Sequence, residues 1–242
     1  MCYAYKTVRT AEGSFVSFTL KEIRRLEREG LVKDTDSGFV FARDMVGVRI
    51  AGDQVLPMRW DLIPASFMRR EGLPLAEVVR KKNSRAKNPA TGQSWGFDSY
   101  NARIETVRDR WAFKFPWKKG QRGVMPVEAF RERPNMDGAP PEFKGREYEV
   151  SLARPHFLAA LYDTWEGPGG RLDSCTVITG PSDDIPELQG IWHERTPILL
   201  TEEEAEVWLD PELPADVAYA LLRGVKSPPL AVREIEKVPK AG

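Results

Sequence analysis

The stretch REYEVSLARPHFLAALYDTWEGPGGRLDSCTVITG, residues 146–180, decides the fold. It holds three strand candidates in succession: REYEVSLA (146–153), HFLAALYDTW (156–165) and SCTVITG (174–180). Each is short, rich in aliphatic, aromatic or β-branched residues, and bounded by Gly, Pro or charge. EGPGGR (166–171) is glycine-rich, but it lies between two strand candidates, so it reads as a hairpin turn rather than a phosphate cradle. No helical pattern separates the three strands, which argues against the strand–helix alternation of a doubly wound parallel sheet. Consecutive strands joined by short turns build a largely antiparallel sheet.

The same texture continues on both sides. Upstream, FVFARDMVGVRI (39–50) and QVLPMRWDLIPAS (54–66) read as strands joined by the turn AGD, GVMPV (123–127) reads as another, and Cys2 to Val8 as the first. Downstream, LAVREIEKV (230–238) closes as a strand. Helices are peripheral. SFTLKEIRRLEREG (17–30) has a Thr19/Glu22 capping box, a Leu20, Ile23, Leu26 stripe and Gly30 as its stop. PLAEVVRKK (74–82), LTEEEAEVWL (200–209, with a Thr201/Glu204 capping box) and PADVAYALLRG (214–224) follow. The polar stretch NSRAKNPATGQSWG (83–96) is a loop. With no internal repeat or linker composition, the expectation is one α+β domain over 1–242, with a twisted, mostly antiparallel, barrel-like β-core, peripheral helices and a short C-terminal tail.

Composition narrows the function classes. The chain has 242 residues, with 36 Lys+Arg against 36 Asp+Glu. A nucleic-acid surface would therefore have to be a local patch. Two cysteines without a CxxC pair argue against a disulfide framework or thiolate metal site and fit a reduced, cytoplasmic setting. Two histidines, His156 and His193, leave no basis for a multi-histidine metal site. There is no apolar leader and no membrane-length apolar run. The phosphate-loop, dinucleotide, serine-elbow and zinc-protease motifs are all missing. No cofactor, metal or membrane partner is expected, and the chain is expected to be a monomer.

Cys2 has chemistry of its own. Removal of Met1 would leave an α-amine and a thiol on neighbouring carbons. The amine titrates near ~7.7–8 and the thiol near ~8.5, so roughly a tenth or more of the amine is free base at neutral pH. Such an amine condenses with an aldehyde to a Schiff base. The thiol can then close on the imine carbon to give a thiazolidine. Position alone leaves Cys2 open between this role and that of a small buried strand residue. His156 reads as a strand-edge residue, and His193, in GIWHERTPILL (190–200), is open between a structural and a proton-transfer role. Arg80, Lys81, Lys82, Arg85 and Lys87 form one basic run. Lys114, Lys118, Lys119 and Arg122 interleave with Trp111, Phe113, Phe115 and Trp117. Cations among stacking platforms suit single-stranded nucleic acid.

Six separated segments together resemble the SOS response-associated peptidase (SRAP) family of abasic-site sensors. They are MC at the start, MRWDLIPAS (58–66), NARIETV (101–107), RGVMPVEAFRE (122–132), FLAALYDTW (157–165) and CTVITG (175–180) with GIWHERTPILL. In order and spacing they cover nearly the whole chain. The resemblance implies covalent capture of abasic sites in single-stranded DNA, the ring-opened sugar's aldehyde becoming a thiazolidine on Cys2 after Met1 removal. It implies that Asn101 holds the N-terminus and the sugar, that Glu132 acts as general base, and that His193 shuttles protons in formation and reversal. It implies that Arg103 and Arg195 contact phosphates, with Trp60 and Thr179 lining the DNA cleft; Lys118 and Lys119 extend the DNA surface.

The sequence also departs from the family pattern. Tyr3 and Ala4 stand where Gly-Arg is common, Asp61 replaces a glycine after Trp60, and Arg131 and Arg133 replace Tyr and Trp around Glu132. The core chemistry is kept while the DNA-facing surface is altered. The other readings are an N-terminal-nucleophile cysteine peptidase acting on itself, where only Met1 precedes Cys2, or on another peptide, and a non-catalytic single-stranded DNA-binding module. A sensor of this kind would be cytoplasmic and nucleoid-associated when bound to DNA.

Overall fold

The computed structural model describes residues 2–7, 39–87, 92, 94 and 96–236. The helix expected at 17–30, part of the 83–96 loop and the tail lie outside the described residues. Eleven strands make one sheet: β1 (Ala4–Lys6), β2 (Phe39–Phe41), β3 (Met45–Ile50), β4 (Gln54–Trp60), β5 (Asn101–Arg103), β6 (Arg122–Glu132), β7 (Tyr148–Gly167), β8 (Gly170–Pro181), β9 (Arg195–Pro197), β10 (Leu199–Leu200) and β11 (Leu230–Glu234). Five described helices surround it: α1 (Leu75–Lys82), α2 (Lys114–Lys118), α3 (Pro186–Gln189), α4 (Glu202–Leu209) and α5 (Ala215–Gly224).

The order β10-β7-β8-β4-β3-β6-β1-β2, together with a direct β6–β7 pairing, closes β7, β8, β4, β3 and β6 into a ring. Most pairings are antiparallel, but β8 runs parallel to both β4 and β5, so the ring is not a regular barrel. The mixed α+β architecture is the one expected. The 166–171 hairpin forms, with Gly167 opposite Gly170 at its end and Gly169 at φ +85°, a left-handed conformation that glycine adopts freely. The Thr201/Glu204 capping box forms reciprocally at the start of α4.

The opening stretch differs in one respect. The strands expected at 146–153 and 156–165 are one twenty-residue strand, β7. Its partner β6 is also longer than GVMPV, and β6 runs beside residues 148–161 of β7 from end to end. The register shifts between Val127, opposite His156, and Ala129, opposite Ser151. Residues 152–155 therefore bulge opposite Glu128. Pro155 has no N–H to give a ladder, and it sits inside the bulge where none is required. A sequence break at Arg154-Pro155 is thus a register break within a continuous strand.

Two main apolar clusters fill the molecule. One lies within the ring and includes Cys2, Tyr5, Trp60, Met125, Phe130, Leu158, Cys175 and Val177. The other joins Ile104, Trp117, Leu161 and Ile178 to Trp208 and Leu222 of the C-terminal helices. Of the aromatics in 111–117, Phe113 and Trp117 belong to this second cluster, while Trp111 and Phe115 are the exposed pair. Arg122 is also buried, donating to the carbonyls of Asp210 and Leu213, and so leaves the basic surface expected of it. Among the described residues no helix is long and apolar enough to cross a membrane.

Candidate active site

The paired strands β1 and β6, the separate strand β5 and one turn assemble the site. β1 lies between β2 and β6, with Ala4 opposite both Phe41 and Arg131. This brings the N-terminal end of the chain to the C-terminal end of β6, where Glu132 stands. Cys2 precedes the ladder and has no solvent exposure. Its carbonyl accepts from Asn101 Nδ2 at 2.6 Å, and its thiol contacts the Ala4 carbonyl at 3.6 Å. Asn101 is fixed by β5, which pairs with β8 through Asn101 and Val177. Burial, and then the nearby Glu132 carboxylate, push the Cys2 thiol well above the ordinary thiol value.

His193 follows the turn after α3 and is fully buried beside Glu132. Its Nε2 lies 3.1 Å from Glu132 Oε2, and its Nδ1 lies 2.7 Å from the Arg133 carbonyl. A carbonyl only accepts, so Nδ1 carries a hydrogen. A neutral ring would then present a bare lone pair at Nε2 to the carboxyl group. At 3.1 Å the imidazole and the carboxyl group stand side by side as possible proton donor and acceptor. Such a pair can give and recover a proton in one place. The backbone is shaped for this. Trp192 is at φ +56°, uncommon for a bulky residue, and the His193 N–H and C=O are tied to the Leu188 carbonyl and the Ser182 hydroxyl.

The other residues expected at the site are placed less uniformly. Trp60 has no exposed surface and does not line a cleft. Its indole N–H donates to the Tyr100 carbonyl at 2.8 Å, and its ring packs edge-on against Tyr5 and Tyr100. So large an apolar ring is more stable in the interior than at an exposed edge. Thr179 is buried as well, its hydroxyl 3.5 Å from the Ala102 carbonyl.

The two expected phosphate contacts differ from one another. Arg195 is buried and makes a two-pronged pair with Glu105, at 2.8 and 3.0 Å, while also donating to the Thr179 carbonyl. Against burial, which pushes it up, hydrogen bonds from Arg195 hold the Glu105 carboxyl below the usual range. Arg103 is exposed and meets Glu194 only at 3.6 Å. Strand β5 ends at Arg103, so Glu105 lies in the following turn. Lys118 and Lys119 are exposed on and just after α2, over the second apolar cluster rather than in the Cys2 group.

Two features escaped sequence reasoning. Lys82, part of a basic run, is buried and donates to Asp61 Oδ1 at 2.8 Å, where Ser99 N–H and hydroxyl also donate at 3.0 Å. The unusual Asp61 after Trp60 was the only signal for it. Tyr3, Arg131 and Arg133 converge on Glu147, which no pattern had singled out. Among the described residues no three His, Cys, Asp or Glu are placed to hold a metal ion.

Residues 32–238 match the family described as SOS response associated peptidase (SRAP); Cys2 lies ahead of the matched range. The abasic site processing protein YoqW of Bacillus subtilis is 30% identical over 125 residues, 51% of this chain and 53% of that protein. The abasic site processing protein HMCES of Mus musculus is 28% identical over 181 residues, 64% of this chain and 45% of that protein. The chain spans about half the length of the curated relatives it matches. A crystal structure of a Bordetella bronchiseptica protein superposes with a TM-score of 0.66 at 20% identity, covering 98% of this chain and 100% of the other. One from Bacteroides thetaiotaomicron gives 0.64 at 20% identity, covering 97% and 92%. At these identities the structural likeness shows the fold.

Proposed function

Since the chain belongs to the SRAP family, we propose that it captures abasic sites in single-stranded DNA as a thiazolidine on Cys2 and can release them again. One observation carries this reading: the buried Glu132 carboxyl and His193 imidazole, 3.1 Å apart, stand beside Cys2, whose carbonyl is held by Asn101.

Removal of Met1 exposes the Cys2 α-amine. That amine attacks the aldehyde carbon of the ring-opened sugar, forming a C–N bond. The carbinolamine then loses its oxygen as water, the Glu132–His193 pair giving the proton and taking up the one the nitrogen releases. The thiol adds across the C=N bond: sulfur bonds to carbon and its proton goes to nitrogen. Aminothiol and aldehyde therefore become thiazolidine and water, and the same groups run the steps backward. Burial keeps the thiol as S–H until the imine is beside it, so ring closure follows imine formation. Arg103 is the exposed cation suited to a phosphate, whereas Arg195 reaches one only by exchanging Glu105 for it. Lys118, Lys119 and the exposed Trp111 and Phe115 supply a further surface for a flanking single strand. Such a protein works in the cytoplasm, on the nucleoid when bound.

Mixing the protein with abasic single-stranded DNA, without a reductant, tests this. A heat-resistant adduct that disappears with Cys2→Ala is expected. Absence of an adduct with protein shown by intact mass to begin at Cys2 would sink the reading.

A further inference from the structure

The β1 ladder begins only at Ala4, so the strand itself does not fix Cys2 and Tyr3. Residues at a chain end stay mobile unless they are tied down. Two backbone ties exist: Asn101 to the Cys2 carbonyl, and the Ala42 N–H to the Tyr3 carbonyl at 2.9 Å. The third tie is the Tyr3 side chain. Its phenol donates to Glu147 Oε1, Arg133 Nη2 donates to Glu147 Oε2 at 3.1 Å, and the Arg133 guanidinium lies 4.5 Å from the centre of the Tyr3 ring. These three side chains form a closed triangle of hydrogen bond, ion pair and cation–π contact. Arg131 adds a second cation 3.5 Å from the same carboxylate.

The triangle reaches the chemistry from two sides. Tyr3 is bonded directly to Cys2. Arg133 directly follows Glu132, and its backbone carbonyl accepts from His193 Nδ1. One residue thus stacks on the neighbour of the nucleophile and also sets the tautomer of the imidazole. Tyr3, Arg131 and Arg133 are three of the positions at which the sequence departs from the family's usual residues. The structure places all three on a single carboxylate. The triangle also keeps its charge state across neutral pH. Burial, and then Glu147, raise the Tyr3 phenol. Against burial, hydrogen bonds from Tyr3 and Arg133 hold the Glu147 carboxyl below its usual range.

We infer that Tyr3, Glu147 and Arg133 form a positioning clamp that sets Cys2 against the Glu132–His193 pair. The inference rests on the reading of Cys2 as nucleophile, and it makes Tyr3 and Glu147 residues that act through others rather than on the substrate.

The test compares Tyr3→Phe, Glu147→Gln and Arg133→Lys with the unaltered chain. Tyr3→Phe keeps the ring and the stack but loses the phenol. Two reactions are followed on protein beginning at Cys2: adduct formation with abasic single-stranded DNA, and thiazolidine formation with glycolaldehyde, which needs no DNA contact. The clamp predicts that Tyr3→Phe and Glu147→Gln slow both reactions about tenfold, the scale of one charge-assisted hydrogen bond. The DNA concentration for half-saturation should stay the same, and both variants should remain folded at the assay temperature. Arg133→Lys, which keeps the backbone carbonyl and the charge, should fall between. Unaltered rates in Tyr3→Phe and Glu147→Gln overturn the clamp, as does a loss that appears only as weaker DNA binding. If either variant is unfolded, the Arg133→Lys rate decides: a value equal to the unaltered chain's overturns the clamp. No DNA adduct with the unaltered chain, alongside slowed glycolaldehyde reaction in Tyr3→Phe, rejects abasic-site capture and leaves the clamp standing.

Discussion

Replacing Lys82 with Met tests how the buried Lys82–Asp61 pair holds the fold. The Lys82 ammonium is enclosed, donating to Asp61 Oδ1 at 2.8 Å and to the Phe97 carbonyl, with the Phe97 ring centre 4.3 Å away. Asp61 has no exposed surface. Its Oδ1 also receives Ser99 N–H and hydroxyl, while Oδ2 has only Arg43 and Arg59 guanidinium nitrogens at 3.6 and 3.7 Å. Taking away Lys82 leaves a carboxylate inside the protein with its nearest countercharge gone. Breaking a buried pair from one side costs about 3–5 kcal/mol. For a chain of this size each kcal/mol is worth about 2–4 °C, so the melting temperature should fall by roughly 6–20 °C. Adding Asp61→Asn removes the stranded charge and should recover about half of the loss or more. Urea unfolding monitored by tryptophan fluorescence measures both variants and the unaltered chain. Lys82→Met within 1 kcal/mol of the unaltered chain, or a double variant no more stable than the single, refutes the reasoning.

Other consequences follow from the same geometry. His193→Ala should slow adduct formation or its reversal by about 10²–10⁴, the range for a positioned proton carrier, with Cys2 still present by mass; equal rates in single-turnover assays would remove His193 from the mechanism. Iodoacetamide should label Cys2 slowly even at pH 8.5, where a free cysteine is about half thiolate, because its thiol is raised by burial and Glu132. Rapid labelling in peptide mass spectra would contradict this. The folded Glu147 carboxyl lies below its unfolded value, so its stabilisation is full above about pH 4.5 and is lost as pH falls through the folded value. Glu147→Gln should therefore flatten the fall in stability between roughly pH 5 and 3, and an unchanged slope in acid titration of unfolding would contradict the assignment.

Local features of the fold were legible in the sequence, and distant pairings were not. The capping box at Thr201 and Glu204 and the hairpin at 167–170 depend on neighbours a few residues apart, and both form. The continuity of β7 depends on its register against β6, which no local pattern around Arg154-Pro155 reports. Burial of Lys82 depends on Asp61, twenty-one residues away, and Arg195 meets Glu105 across ninety. Composition marks both cations as surface residues, and only the packed structure shows their partners. Trp60 sits in a motif whose resemblance implies a cleft, yet an indole behind Tyr5 completes the interior of the ring. The group of Cys2, Asn101, Glu132 and His193 was named through the resemblance. Distances between residues as far apart as 2 and 101, or 132 and 193, arise only when the strands close the ring.

The most direct measurement is to digest the adduct formed with abasic single-stranded DNA and locate the attachment by mass spectrometry. The account predicts a single modified peptide beginning at Cys2, without Met1, heavier by the abasic sugar fragment less one water. Attachment at a lysine, attachment to a peptide that retains Met1, or no attached peptide at all would contradict it.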